Sequence, residues 1–361
     1  MSVQYGGDKI TFADGSIVAS GWSGFKNRII NGDFRIDQRN AGASVTPSSN
    51  QYTLDRWNTY QNVASKFSVQ QNAGSVTPPA GFTKYLGVTS LSAYTVLSGG
   101  LNTIMQYIEG YNCADLAWGT ANASPVTLSF KVYSSLTGTF GGSICNASQN
   151  RSYPFSYTIS SANTWTTVSV TIAGDTSGTW ATDNTAGICV FFGLGVGSTY
   201  SGTAGAWAGS AYFSATGATS VVGTNGATFY ITGVQLEKGS TATSFDYRPY
   251  GTELQLCQRY YQIYTSTGMM LGVGSVSSSS AVYRWGFTLN QSMRAVPTVT
   301  LTNMSIWSGS NTPSVTLGSN YCSTNNIDFD LTTTGLSPST QGIVAKAYFN
   351  AGSSIQISAE L

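Results

Sequence analysis

The side chains that could do chemistry in this chain are carboxylates, because its 361 residues contain no histidine. Cleavage of a glycosidic bond needs two carboxyl groups that face each other across a sugar. The acidic residues considered for such a pair are Glu109, Asp115, Asp175 and Asp183, and their spacing singles out no two of them. The lack of histidine also removes every Ser-His-Asp and Cys-His arrangement. We therefore predict no catalytic residue.

The five cysteines lie far apart and form no CxxC pair. An odd number of dispersed cysteines argues against a disulfide framework and against a zinc site. These residues are Cys113, Cys145, Cys189, Cys257 and Cys322. Since histidine, the usual partner of cysteine in a ligand set, is absent, we predict no metal site and no cofactor.

Ligand binding can depend on aromatic rings, because sugars present apolar C–H faces that stack on exposed tryptophan and tyrosine. Trp180 and Trp207 lie in or beside stretches rich in glycine, serine and threonine, which are typical of loops. Tyr200 and Tyr212 flank the second of these tryptophans, and Trp307 lies in a short segment that ends in Ser-Gly. These five rings are the predicted glycan-binding residues.

The charge of the chain excludes several classes of partner. Only 9% of residues are charged and the formal net charge is +1. This balance gives no electrostatic reason to expect a nucleic acid or a membrane surface as the partner. No basic segment followed by an apolar run is present near the N-terminus, and no window of about eighteen apolar residues exists. We therefore expect folding in a cytoplasm and no insertion into a membrane.

The elements that must position these side chains are β-strands. Short runs that alternate apolar and polar residues, such as 127–132, are separated by glycine, serine, asparagine and proline. Many short strands without helical patterns between them predict an all-β chain with a jelly-roll-like β-sandwich over residues 28–250. A smaller β-sandwich domain is predicted over 265–361. Residues 1–27 form an N-terminal arm with a hairpin at Asp14-Gly15.

The strand predictions follow from this alternation and from the turn residues between runs. In the larger domain they are 66–70, 85–88, 103–108, 126–133, 155–159, 166–172, 187–194, 211–213 and 229–236. In the C-terminal domain they are 269–276, 281–289, 298–301, 327–331, 342–349 and 354–359. The glycine-rich segments 195–209 and 216–226 are predicted to be long surface loops.

A single segment, 251–264, has a helical pattern and would link the two domains. Thr252 is a suitable N-cap and Gln255 follows three residues later, which is a capping-box pattern. One apolar stripe at helical spacing consists of Leu254, Cys257, Tyr261 and Tyr264. A second consists of Leu256, Tyr260 and Ile263. A helix that is apolar on two sides needs two neighbours, which are either two domains of one chain or the same helix in sister subunits.

The junction between the domains resembles a signature of tailed-phage structural proteins. The resemblance lies in GVQLEKG at 233–239, FDYRPYGTEL at 245–254 and CQRYY at 257–261. The opening segments INGDF at 30–34 and DRW at 55–57 are similar to the start of the same domain. Most members of this class are tail fibres or receptor-binding proteins, and short ITF-DG-S segments like the one in the arm occur near the start of many of them.

This resemblance implies a non-enzymatic virion protein, most simply a tail fibre or receptor-binding protein that adheres to host surface glycan. The arm would attach to another virion protein. Together with the two-sided helix, the resemblance implies a homotrimer in which Leu254, Cys257, Tyr261 and Tyr264 form the subunit interface. Two alternatives stay open: a head fibre or decoration protein on the capsid, and a polysaccharide-degrading tail enzyme. The protein would be assembled in the host cytoplasm and end in the virion.

The larger domain also looks like jelly-roll carbohydrate-binding modules, which open with a similar Asn-Gly-Asp-Phe and often carry a structural calcium. Here Thr232-Gly233 stands where acidic ligands are expected, so no metal is predicted. We assign the charged residues of these motifs a structural role, in which Arg–carboxylate pairs join the opening of the domain to its closing strand. They are Asp33, Asp55, Arg56, Glu237 and Arg248, with Asp246 as a further possible partner.

Overall fold

The structure is a computed structural model of the 361-residue chain. It describes residues 4–6, 9–11, 17–19, 25–265, 270–275, 282–307, 314–333 and 344–361. Side chains are described for 25–265, 285–305, 314–333 and 350–361. Within these ranges nearly all regular structure is β-strand, with one α-helix, which confirms the predicted all-β class.

The strands before the helix belong to the arm and to the larger domain. They are β1 (Gln4–Gly6), β2 (Lys9–Thr11), β3 (Ile17–Ala19), β4 (Gln51–Leu54), β5 (Trp57–Gln61), β6 (Phe67–Gln71), β7 (Leu86–Ser90), β8 (Leu101–Glu109), β9 (Val126–Ser134), β10 (Gly138–Asn146), β11 (Ser152–Ile159), β12 (Thr166–Ile172), β13 (Ala186–Val196), β14 (Ser201–Gly202), β15 (Ser214–Ala215) and β16 (Thr228–Lys238). In the arm, β2 and β3 pair antiparallel as the predicted hairpin, and β1 adds to β2.

The larger domain is a jelly-roll-like β-sandwich of two antiparallel sheets. Six strands lie in the order β11-β10-β13-β8-β5-β4, and five in the order β12-β9-β16-β7-β6. The chain crosses repeatedly between the sheets, so both faces of the core come from many segments. In β9 the apolar Leu128, Phe130 and Val132 are buried while Ser129 and Lys131 point outward, as period-two alternation requires.

Strand β10 was not among the predicted strands, and its glycines explain why. Its sequence, GTFGGSICN, has the composition of a loop. A Cβ on Gly142 would lie 2.3 Å from the main-chain oxygen of Phe191, and one on Gly141 would lie 2.5 Å from Ser214 Oγ. These glycines therefore permit close packing inside a sheet. The predicted strand at 211–213 is wrong, since regular pairing there is confined to β15.

Helix α1 (Tyr250–Gln258) is shorter than the predicted 251–264. Pro249 is its N-cap residue and Thr252 lies inside the first turns without a capping hydrogen bond, so the predicted capping box is wrong. The helix ends because the next residues pair with another strand. Tyr261 and Tyr264 belong to β17 (Tyr261–Thr265), which is antiparallel to the last strand of the chain. Aromatic and β-branched residues favour this extended state.

The predicted subunit stripe therefore does not exist as one surface. Cys257 is fully buried in a cluster that also contains Ile30 and Tyr260, and Leu254 packs against the same cluster. Tyr261 is only 3% exposed. Tyr264 packs edge-to-face on Phe287, with ring centroids 5.2 Å apart. Their own chain covers Cys257 and Tyr261, whereas Leu254 and Tyr264 are half-buried. The assignment of these four residues to a subunit interface stays a prediction.

The C-terminal domain is a second, smaller β-sandwich, as predicted. Besides β17, its strands are β18 (Met270–Ser275), β19 (Val282–Thr288), β20 (Thr298–Trp307), β21 (Val315–Asn320), β22 (Asn326–Thr333) and β23 (Val344–Ser358). β23 pairs with β17, β18 and β20, and the second sheet has the order β19-β22-β21. The core between the sheets includes Trp285, Phe329 and Ile355. The predicted strands 342–349 and 354–359 are one strand, and β21 was not predicted.

Candidate functional site

The four carboxylates considered for catalysis are each held by a different partner. Glu109 accepts hydrogen bonds from Arg259 and from Tyr260 Oη, both at 2.5 Å. Asp175 accepts hydrogen bonds from Nε and Nη2 of Arg151. Asp115 forms an ion pair with Arg28, and Asp183 accepts a hydrogen bond from the hydroxyl of Thr185. No two of these carboxylates share a partner. The four carboxylates thus belong to four separate sets of contacts.

The charged residues of the opening and closing motifs are all buried, each at most 4% exposed; they are Asp33, Asp55, Arg56, Glu237 and Arg248. Apart from Asp246, which lies at the limit of ion-pair distance from Arg248, their partners differ from the predicted ones. Arg248 donates to Glu253 on α1 at 3.2 Å and to the main-chain oxygens of Ile29 and Asn27. Asp246, a predicted partner, lies 4.0 Å from Arg248. The closing segment thus locks onto the opening one mainly through main-chain oxygens.

The other members of the set are also held locally or by unexpected residues. Asp33 pairs with Arg35, and Glu237 accepts from the amide and hydroxyl of Thr243 at 2.8 and 2.7 Å. Arg56 pairs with Glu360, almost at the end of the chain. Sequence reasoning missed this partner because Glu360 is separated from Arg56 by the whole C-terminal domain. The opening motif therefore anchors that domain as well as its own.

Asp55 makes the stability of the domain depend on pH. Burial raises the pKa of its carboxyl from the ordinary 3.8 to about 6, although Arg39 and two hydrogen bonds from Gln38 counteract the rise. Between these values the folded protein retains a proton that the unfolded chain has released. The Asp55 contribution to the free energy of unfolding should therefore fall by about 3 kcal/mol as the pH rises from about 4 to about 6.

In the Asp55→Asn variant we expect the free energy of unfolding to lose this dependence on pH. Urea unfolding at several pH values measures the slope of the free energy against pH. Rotation of the Gln38 amide can let it accept from the new asparagine. Asp183→Asn is the matched control, because hydrogen bonds from Thr185 lower the pKa of this exposed carboxyl, so its titration has the opposite sign. An Asp55→Asn protein with the wild-type slope between pH 4 and pH 6 would contradict the assignment.

The structure brings Trp180 and Trp207 together with Trp118, which the sequence had not singled out. The three rings meet edge-to-face with centroids 4.6 to 5.5 Å apart. Each indole N–H donates to a main-chain oxygen, and Trp118 and Trp180 are only 7% and 8% exposed. A pocket of about 220 Å³ lies beside these two. Trp207, half-buried under Arg151, is the more accessible of the predicted pair.

Tyr200 and Tyr212 lie in a different place, in the loop that follows β13. Tyr200 packs against Phe213 with centroids 5.6 Å apart, and Phe213 in turn covers Phe191 on the outer face of the six-stranded sheet. Both tyrosines are half-buried, and the Tyr212 ring lies against Gly202. The main chain of Trp307 ends β20, and its side chain lies outside the described ones. The predicted aromatics therefore do not converge on one platform.

The outer face of the five-stranded sheet carries an open groove of about 260 Å³. None of the four predicted aromatics whose side chains are described lines it. Phe82 and Phe245 form one side, with ring centroids 5.2 Å apart in an edge-to-face arrangement. Gly233 lies under Phe82 with φ of +63°, and a Cβ there would be 2.6 Å from the ring. Both the left-handed backbone and the close ring require glycine at this bulge in β16.

Strands β9 and β12 form the floor of the groove with outward-pointing polar side chains. Ser129 and Lys131 come from β9, and Thr167 and Ser169 from its antiparallel neighbour. Lys131 Nζ donates to Thr167 Oγ1 at 2.9 Å. Thr243 contributes a hydroxyl on the side of Phe245. None of the described residues that line the groove is a carboxylate.

Two further aromatic rings continue the groove along the sheet. Tyr133 is the next outward residue of β9 and lies about 7 Å beyond Lys131 along the strand. Trp165 precedes β12, and its ring centroid is 5.5 Å from that of Tyr133. Tyr230, the cross-strand partner of Tyr133 on β16, stacks beside it with ring centroids 5.4 Å apart and an interplanar angle of 6°. Tyr133 and Trp165 are half-buried, so this pair presents a supported aromatic surface beside the hydroxyls.

The alternation of β9 contained the signal for this surface. The same pattern that places Phe130 in the core places Ser129, Lys131 and Tyr133 on the opposite face. What the sequence could not show was the proximity of Phe82 and Phe245, which are far apart in the chain. No group of three or more potential metal-ligating side chains occurs among the described residues. Among the same residues, no helix has the length and apolar character needed to cross a membrane.

No protein-family model and no curated protein matches this chain. Among solved structures, the enzymatically active domain of tailspike protein 4 of bacteriophage CBA120 is similar over 59% of this chain at 13% identity and a TM-score of 0.32, and the chain covers only 21% of it. A putative sugar binding protein from Bacteroides thetaiotaomicron is similar over 59% of this chain and 100% of its own, at 16% identity and a TM-score of 0.35.

A family 11 carbohydrate-binding module from Clostridium thermocellum, solved with a β-1,3-1,4-mixed-linked tetrasaccharide, is similar over 56% of this chain and 99% of its own. Its identity is 14% and its TM-score is 0.28. TM-scores this low do not extend the ligands or activities of these proteins to this chain. A function for this chain must therefore be argued from the residues of the chain itself.

Proposed function

We propose that this protein is a non-enzymatic structural protein of a phage virion, a tail fibre or receptor-binding protein that adheres to glycan on the host surface. The observation that carries the proposal is the groove over β9 and β12. It combines ring faces for sugar C–H groups with hydroxyls and one ammonium group that can bind sugar hydroxyls. The absence of carboxylates among its described lining favours binding over cleavage.

The attachment and assembly parts of the proposal rest on the sequence resemblance. The arm would join another virion protein, and three copies of the chain would present three grooves to one cell surface. Linked sites of this kind can give strong adhesion from weak single sites. A head fibre or decoration protein on the capsid is the second candidate, and imaging of labelled virions would distinguish head from tail. Light scattering at micromolar concentration tests the trimer.

The groove is tested by Phe245→Ala and Trp165→Ala on an array of bacterial surface polysaccharides. Loss of one stacked ring should weaken binding to the best-bound polysaccharide by about tenfold. Tyr111→Ala is the control, because Tyr111 is 63% exposed and lies outside the groove lining. Equal binding by all three variants would contradict the groove assignment. New reducing ends in the bound polysaccharide, lost on changing one carboxylate, would contradict the non-enzymatic part.

A further inference from the structure

The lysines and arginines of this chain have different surroundings. Most described arginines pair with a carboxylate, and Arg294 instead donates to main-chain oxygens of Asn184, Ala359 and Glu360. Lys131 in the groove lining has no carboxylate oxygen within 4.0 Å among the described residues. The same is true of Lys26, which lies outside the lining but whose ammonium group contacts the lining residue Thr243. In a chain with so few charges, cations that neutralise nothing within the fold are free to act on a ligand.

A threonine hydroxyl of the groove lining holds each of these two ammonium groups. Lys131 Nζ donates to Thr167 Oγ1 at 2.9 Å and Lys26 Nζ to Thr243 Oγ1 at 2.5 Å. A neutral hydroxyl satisfies one N–H and leaves the charge and the remaining donors available. Glu237 is nearby on the buried side of Thr243 and accepts from its hydroxyl at 2.7 Å. Lys131 has no such carboxylate behind it among the described residues and is therefore the stronger anion-binding group.

We propose that the glycan bound in this groove is acidic, and that its carboxylate or phosphate groups bind Lys131, with Lys26 as a secondary contact. This inference rests on the proposed function. An anion on the ligand would form a charge-assisted hydrogen bond with Lys131 while the neighbouring sugar faces lie on Phe245 or Trp165. The carboxylate-free lining of the described groove would not repel such a polymer.

The test uses two matched pairs of polymers in binding titrations at low and high salt. Polygalacturonate and its methyl ester differ in carboxylate charge, and phosphorylated dextran and dextran differ in phosphate charge. We expect at least one acid form to bind about tenfold more tightly than its neutral partner at low salt, with the difference decreasing as salt is added. The pair that shows the difference identifies the anionic group.

The variants separate groove binding from general attraction. Lys131→Met should remove the preference for the acid form, so that acid and neutral forms bind with the same affinity, whereas Lys131→Arg should keep the preference. Lys66→Met is the control: it removes the same charge from a lysine that lies over Tyr94 and outside the groove lining. It should behave as wild type.

Three results would overturn the inference. One is equal binding of acid and neutral forms, another is an acid preference that survives Lys131→Met, and the third is no binding of either acid form. The first two leave the proposed glycan groove intact if Phe245→Ala still reduces binding on the polysaccharide array. The glycan-binding part of the proposed function fails when that array shows no groove-dependent binding.

Discussion

The Glu360→Gln variant is expected to unfold with a free energy about 3 to 5 kcal/mol lower than the wild type, because it leaves buried positive charge without a counter-charge. One carboxylate oxygen of Glu360 forms an ion pair with Arg39 at 2.6 Å, and the other forms an ion pair with Arg56. The Arg56 side chain is only 1% exposed, and its guanidinium lies 3.6 Å above the centre of the Tyr260 ring. Glutamine keeps the shape of the side chain but removes the charge.

The effect should reach both domains, because the last residues of the C-terminal domain end inside the larger one. Arg294 donates to the main-chain oxygens of Ala359 and Glu360, and Tyr52 Oη donates to the oxygen of Leu361 at 2.9 Å. In the same segment, the main-chain N–H of Ala359 donates to the main-chain oxygen of Tyr260 at 2.8 Å. We therefore expect calorimetry to show the two sandwiches of the variant unfolding in more clearly separated steps than those of the wild type.

Urea unfolding of Glu360→Gln, with Asp183→Asn as the control, measures this loss. Asp183 is an exposed carboxylate that accepts hydrogen bonds from Thr185 in its own loop, so its variant should have a stability close to that of the wild type. The double variant Arg56→Met with Glu360→Met replaces the ion pair by apolar groups and should recover part of the stability. A Glu360→Gln protein as stable as the control variant would show that solvent reaches these guanidinium groups.

The fold class could be predicted because strand alternation is a local property. In β9 and β12 the buried and outward positions follow the sequence without reference to other segments. The failures have non-local causes. Strand β10 depends on close contact of its glycines with Phe191 and Ser214, and the end of α1 depends on β23, which lies about ninety residues later. Neither contact leaves a mark in the local pattern.

The functional surface was harder to predict for the same reason. Trp180 lies in a stretch of loop-like composition, yet it packs with Trp118 and is almost buried, since loop composition does not report what covers a ring. The groove depends on Phe82 meeting Phe245 across the bulge at Gly233. Gly233 and Phe245 lie in the junction motifs, but the sequence does not mark either of them, or Phe82, as part of one surface. The outward face of β9 was visible in the sequence, but the aromatic wall beside it exists only in the folded chain.

Gly32→Ala is expected to lower the free energy of unfolding by about 3 kcal/mol, because the opening motif crosses the closing strand at van der Waals limits. A Cβ on Gly32 would lie 2.1 Å from the main-chain oxygen of Val234. That oxygen already accepts from Asn27 Nδ2 at 3.0 Å, and Val234 N donates back to the oxygen of Gly32 at 2.9 Å. The two segments cannot separate to admit a methyl group without breaking these hydrogen bonds.

The displacement would also reach the core, since the adjacent Asn31 accepts from the indole of the fully buried Trp57 at 3.0 Å. Thermal unfolding followed by circular dichroism should show a midpoint lower by roughly 6 to 12 °C. Gly209→Ala is the matched control, because nothing lies within 4 Å of a Cβ there and its φ is not left-handed. If Gly32→Ala and Gly209→Ala unfold at the same temperature, the glycine of the Asn-Gly-Asp-Phe motif is not needed for the close approach of the two segments.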